Sequence, residues 1–133
     1  MTRAPTSLAD LPSNAVRPLG SLAPETLRSW AESAQHRFVH VVLTGIRERR
    51  PLLVAIGRAL EFPSWFGANL DALYDSLTDL PERAPAPGYV IVLDGLSHGP
   101  QADDNAALLD VFRDAADFWA ERKIPFRCFY SFQ

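Results

Sequence analysis

Asp71, Asp75 and Asp79 recur at intervals of four in the stretch FPSWFGANLDALYDSLTDL, residues 62–80. On a helix this spacing projects all three carboxylates from one face. Like charges so placed are mildly destabilising, by roughly 0.2–0.5 kcal/mol per pair. No Lys or Arg lies between Phe62 and Leu80 to offset them. Carboxylates in a row can share protons, hold a metal or pair with cations. A hydrolytic pair needs one acid with a raised pKa in an apolar pocket and another that stays ionised. A solvent-facing helix gives both the same wet surroundings, which points instead to pairing with cations. The first turn of a helix welcomes Asp71, but Asp75 and Asp79 fall further along, where the dipole offers nothing.

Acidic rows attract basic surfaces and speed encounter. Trp65 and Tyr74 are residue types that anchor interfaces. Aromatics beside carboxylates suit a partner whose own site is rich in Lys, Arg and His. An active site built for polyanionic RNA has that character, and the carboxylates would stand in for phosphates.

Other chemistry is sparse. His36, His40 and His98 fall in a helix end, a strand and a loop, with no HxH or HExxH spacing. Structural or solvated roles are expected for all of them. The sequence holds no GxGxxG or Walker loop and no GxSxG elbow. Asp103 and Asp104 could touch a metal, but capping a helix explains both more simply. No catalytic residue, metal site or cofactor is therefore expected. Cys128 is the single cysteine, so no internal disulfide can form, and it reads as a small buried hydrophobe. That fits a reducing compartment. There is no apolar run of membrane-spanning length, and the proline-broken start, MTRAPTSLADLPSNAVRPLG, has no signal-like apolar stretch. A cytoplasmic location is expected. Net charge −3 and pI about 5.5 weigh against direct nucleic-acid binding.

The elements that must position these residues follow from periodicity. The chain has 133 residues, 47% of them hydrophobic, which suits one domain with a real core. Residues 1 to about 22, with Pro5, Pro12 and Pro18, read as a loosely ordered arm. Pro24 and Glu25 open a helix with Leu27, Trp30 and Ala34 on one side, Trp30 as a packing anchor. FVHVVL, 38–43, reads as a buried strand. RERR, 47–50, precedes Leu52, Leu53, Ile56, Ala59 and Leu60, a helical spacing with Pro51 near the first turn. The arginines read as a solvated helix start or, since the helix dipole disfavours them there, as a partner contact. Pro63 stops this helix and Gly67 permits a tight turn. Asn69 then caps a helix over 70–80, with Leu70, Leu73 and Leu77 facing the core.

PERAPAPG, 81–88, is a loop, and YVIVLDG, 89–95, a second buried strand. Asp103 or Asp104 starts a long helix buried along Leu108, Phe112, Ala115 and Trp119. FRCFYSF, 126–132, is the third strand. The order β-α-α-β-α-β predicts a small, mainly parallel α/β sheet, with residues 1–37 as an arm and short helix and 38–133 as the main domain.

The run from residue 62 to 80 resembles the signature of the barstar family, intracellular inhibitors of barnase-type ribonucleases. That signature pairs two aromatics and a glycine with Asn-Leu-Asp-Ala-Leu, an aromatic and an Asp. YVIVLDG, VFRDA (111–115) and FRCFYSF resemble the family's second strand, last helix and third strand. The resemblance covers about residues 38–133 and implies a three-stranded parallel sheet packed with helices, without enzymatic activity or cofactor. It implies nuclease contacts for Trp65, Gly67 and Asn69. It implies inhibitory carboxylates at Asp71 and Asp75, the latter entering the nuclease's phosphate site. It places Tyr74 where the family has a tryptophan, Thr78 at the edge, and Asp114 as a peripheral charge where the family has a glutamate. Ala68 replaces a glutamate, and Asp79-Leu80 replaces a glycine-tryptophan pair at the rim. The implied partner is a ribonuclease. The rival expectations are a regulatory module for another basic protein and a small hydrolase using Asp71, Asp75 and the 103–104 pair.

Overall fold

The computed structural model describes residues 4–63, 66–80, 86–98 and 102–133, with the side chains of 102–104 left aside. In chain order the elements are β1 (Ala15–Pro18), α1 (Pro24–Ser33), β2 (Arg37–Val42), α2 (Arg49–Ala59), α3 (Leu70–Leu77), β3 (Tyr89–Leu96), α4 (Ala102–Glu121) and β4 (Phe126–Phe132). A 3-10 turn at Leu8–Asp10 precedes them. The mixed α/β class holds, but the described sheet has four parallel strands, in the order β1-β4-β3-β2, rather than three.

The additional strand comes from the expected loose arm. Ala15–Pro18 pairs with Arg127–Tyr130, and Leu19 N–H extends the ladder to Tyr130 O at 2.7 Å. Pro18 is tolerated because the strand is an edge. Asn14 clips the arm down: its Nδ2 donates to Ala116 O at 3.0 Å and Ile124 O at 2.9 Å. Leu8 is buried, and its carbonyl takes a 3.2 Å hydrogen bond from Arg127 Nη2. Arg127 is itself buried, which pulls its pKa down.

Alternation along the strands sorts the core into two layers. Val39, Val41, Ile91, Leu93 and Cys128 face α2, α3 and α4. Val90, Val92 and Phe129 face Leu27 and Ala31 of α1, with Leu8 and Leu19 of the arm. β3 and β4 are central, so their apolar runs are near-continuous rather than alternating, as parallel strands covered on both faces require. Trp30 packs half-buried against the smaller layer, while Ala34 is the exposed C-cap of α1. Burial holds the Cys128 thiol far above its ordinary pKa and so unreactive.

At the C-terminal ends of the strands, Asp94 links three of them. His40 Nε2 lies 2.7 Å from its Oδ2, and Ser131 Oγ donates to its Oδ1 at 3.0 Å. The next residue, Gly95, has φ +91, and a Cβ there would collide with Thr44 Oγ1, so this bulged turn requires glycine. The His40 hydrogen bond, against the opposing effect of burial and with help from Ser131, holds the Asp94 carboxyl below its usual 3.8. A carboxyl depressed on folding contributes stability above its unfolded pKa and loses it as pH falls through the folded value. Asp94→Asn is therefore expected to destabilise the protein at pH 6, with the gap to wild type narrowing below pH 3.8. Urea midpoints across that range check this, and a gap that stays constant would refute it.

Candidate functional site

Asn69 sets the geometry of the site. Its backbone is extended, and its Oδ1 accepts from Ala72 N–H at 2.8 Å, capping α3 as expected. Losing this cap in Asn69→Ala should cost about 1 kcal/mol. A chemical melt showing no change would mean that the start of α3 is held by something else. The left-handed turn before it falls on Ala68, φ 51, and not on Gly67. Ala68 is buried in the core cluster, so packing holds a conformation that alanine adopts at some expense.

α3 ends at Leu77, three residues short of the expected boundary. Thr78 is its C-cap, and the hydroxyl donates to Tyr74 O at 3.0 Å and Asp75 O at 3.1 Å. Those contacts commit Thr78 to the helix end. Asp79 therefore lies beyond the helix, half-buried, and does not extend the carboxylate row. Leu80 is fully buried, a core residue rather than part of a rim. Leu73 and Leu77 are fully buried as expected, whereas Leu70 is half-buried and partly faces out. Trp65 lies outside the described residues.

Asp71 and Asp75 remain, both exposed on one face of α3, with the half-buried Tyr74 beside them. α4 supplies the opposite wall. Its start at Ala102 puts Asp103 and Asp104 within the first turn rather than at the cap. Leu108, Phe112, Ala115 and Trp119 are buried as the periodicity requires. Trp119 Nε1–H donates to Leu77 O at 3.1 Å, satisfying a carbonyl in the last turn of α3 and locking the two helices together.

The groove between α3 and α4 encloses about 690 Å³. Leu70, Tyr74, Val111 and Phe118 supply its apolar surface, and Asp71, Asp75, Asp114, Asp117 and Glu121 its rims. Tyr74 meets Phe118 edge to face at 6.5 Å. The Arg122 guanidinium lies over the Phe118 ring, 3.5 Å from its centroid. The fold thus brings Asp71, Tyr74, Asp75 and Asp114 to one cleft, whereas Gly67 and Asn69, on the loop before α3, do not line it. Asp117 and Glu121 were not anticipated. Their signal was present: Asp110, Asp114, Asp117 and Glu121 recur at helical spacing opposite the buried stripe.

Among the described residues, groups suited to bond-making chemistry do not converge. Ser131 donates to Asp94, which lies between it and His40, so the hydroxyl has no imidazole base. His36 sits against Gly88 and His98 stacks on Phe132, with ring centroids 4.8 Å apart. No group of three metal-ligating side chains occurs among the described residues.

A capped helix and an acidic partner helix on a small parallel sheet thus form an open cleft with an apolar floor and carboxylate rims. The family model described as barstar (barnase inhibitor) matches residues 36–131. The chain belongs to the barstar family, inhibitors of barnase-type ribonucleases. Among curated proteins the chain has no significant match.

Proposed function

We propose that this protein is a non-enzymatic inhibitor that binds a ribonuclease of the barnase type, or a related toxin nuclease, and covers its active site. The observation that carries this reading is the α3–α4 groove, where five carboxylates surround an apolar floor. Asp71 and Asp75 replace substrate phosphates among the nuclease's cations, and Tyr74, together with Trp65, supplies buried area. Asp114 adds charge at the periphery. No covalent step, metal or cofactor takes part. The protein acts in the cytoplasm, neutralising the nuclease before export or after entry. Association is fast and slows as salt rises, because rim carboxylates steer the encounter.

The direct test is an activity assay of a barnase-type ribonuclease with the purified chain added in increasing amounts. Stoichiometric loss of RNA cleavage is expected. Full activity at a large excess of the chain rules this function out. Recovery of a basic protein that is not a nuclease from the native host would favour the regulatory module.

A further inference from the structure

Arg47, Arg49 and Arg50 stand exposed where α2 begins. This is the positive end of the helix dipole, so cations there are disfavoured. The first turn of α2 contains no acidic residue, and Glu48 at its N-cap makes no side-chain capping hydrogen bond. Among the described residues, Arg50 has no carboxylate within 4.0 Å. Arg49 and Arg50 line a groove of about 320 Å³ together with Ala68, Asn69, Leu70 and Asp71. Leu70 and Asp71 also line the acidic groove, so the two clefts form one continuous surface. Its charge runs from the carboxylates of α3 and α4 to the arginines of α2.

A surface shaped only for a cationic partner gains nothing from an arginine at its edge. The positive charge repels the partner during approach and weakens the field of Asp71 beside it. From this juxtaposition we infer that Arg50 meets a carboxylate of the partner, adjoining that partner's cationic site. The interface is then charge-alternating. The α3 and α4 carboxylates supply attraction, and Arg50 fixes register and selects among basic proteins, since a partner with cations alone is repelled there. This rests on the inhibitor reading and adds the feature that a cognate nuclease must carry.

The sign of one substitution decides it. Barnase serves as the probe, titrated calorimetrically at fixed ionic strength against wild type, Arg50→Glu, Arg50→Lys and Asp75→Ala. The expected result is at least tenfold weaker binding for Arg50→Glu and a smaller loss for Arg50→Lys. A partner surface with no carboxylate at that point gives the opposite sign, because reversing the charge removes a repulsion. Binding by Arg50→Glu as tight as wild type or tighter, with Asp75→Ala still impaired, overturns the inference and leaves the inhibitor reading standing. Failure of the wild-type chain to bind barnase overturns the inhibitor reading, and the inference with it. Arg50→Glu should melt no lower than wild type, since an acid suits the start of a helix, so misfolding cannot mimic the loss.

Discussion

Asp75→Ala is expected to abolish tight ribonuclease inhibition while the fold persists. Asp75 is exposed in the free protein and lines the acidic groove, so the substitution removes no core contact. It should leave the melting temperature unchanged or slightly raised. Relieving the repulsion with Asp71 four residues away is worth roughly 0.2–0.5 kcal/mol. In the proposed complex the same carboxylate would be desolvated among the nuclease's cations. Truncating one member of such a pair costs about 2–5 kcal/mol, a range to which barstar bound to barnase itself contributes. That converts to roughly 30-fold to several thousand-fold in the inhibition constant. The large binding effect beside a negligible stability effect is the diagnostic combination. An unchanged inhibition constant would remove Asp75 from the site.

Removal of residues 1–18 is expected to produce the largest loss of stability. The family match begins at residue 36, which invites the view that the preceding chain is dispensable. The structure argues otherwise. Without β1, the apolar strand β4 becomes an edge, and Phe126, Phe129, Tyr130 and Phe132 flank an unpaired ladder. Such an edge invites pairing with other chains. The Val90, Val92 and Phe129 layer also loses Leu8, whose burial alone is worth about 1.5–3 kcal/mol. Against a net stability of about 5–15 kcal/mol for a typical domain, loss of the arm removes a large fraction. The shortened protein should melt much earlier and sediment partly as aggregates. A monomer with a near wild-type melting curve would show that the arm merely rests on the sheet.

How far the sequence could be read depends on the range of the interactions involved. FVHVVL, YVIVLDG and FRCFYSF were legible because their apolar runs declare central or covered strands locally. Asn69 was legible as a cap for the same reason: donor and acceptor lie three residues apart. β1 was not. AVRP contains a proline and too few apolar residues to mark a strand, and its partner lies more than 100 residues away in Arg127–Tyr130. Residue type marks Gly67 as permitting the tight turn, whereas the left-handed residue is Ala68, one position later and packed into the core. Asp71 and Asp75 were found from helical spacing, but the groove they line was not, because it depends on Trp119 holding α4 against α3.

The strand order has a consequence for how the protein comes into being. β4 is the last strand in the chain, yet it lies between β1 and β3. Before β4 is available, only β2 and β3 have their sheet neighbours, and β1 has none to join. Every pairing in this sheet is parallel and distant in sequence, which makes folding slow. The sheet is completed only once residues 126–132 clear the exit tunnel. A product stopped before that strand would carry all five acidic groove residues in its sequence and hold none of them on a finished scaffold. If the proposed inhibition holds, it would thus begin only after synthesis has passed β4, with chains stopped earlier conferring none.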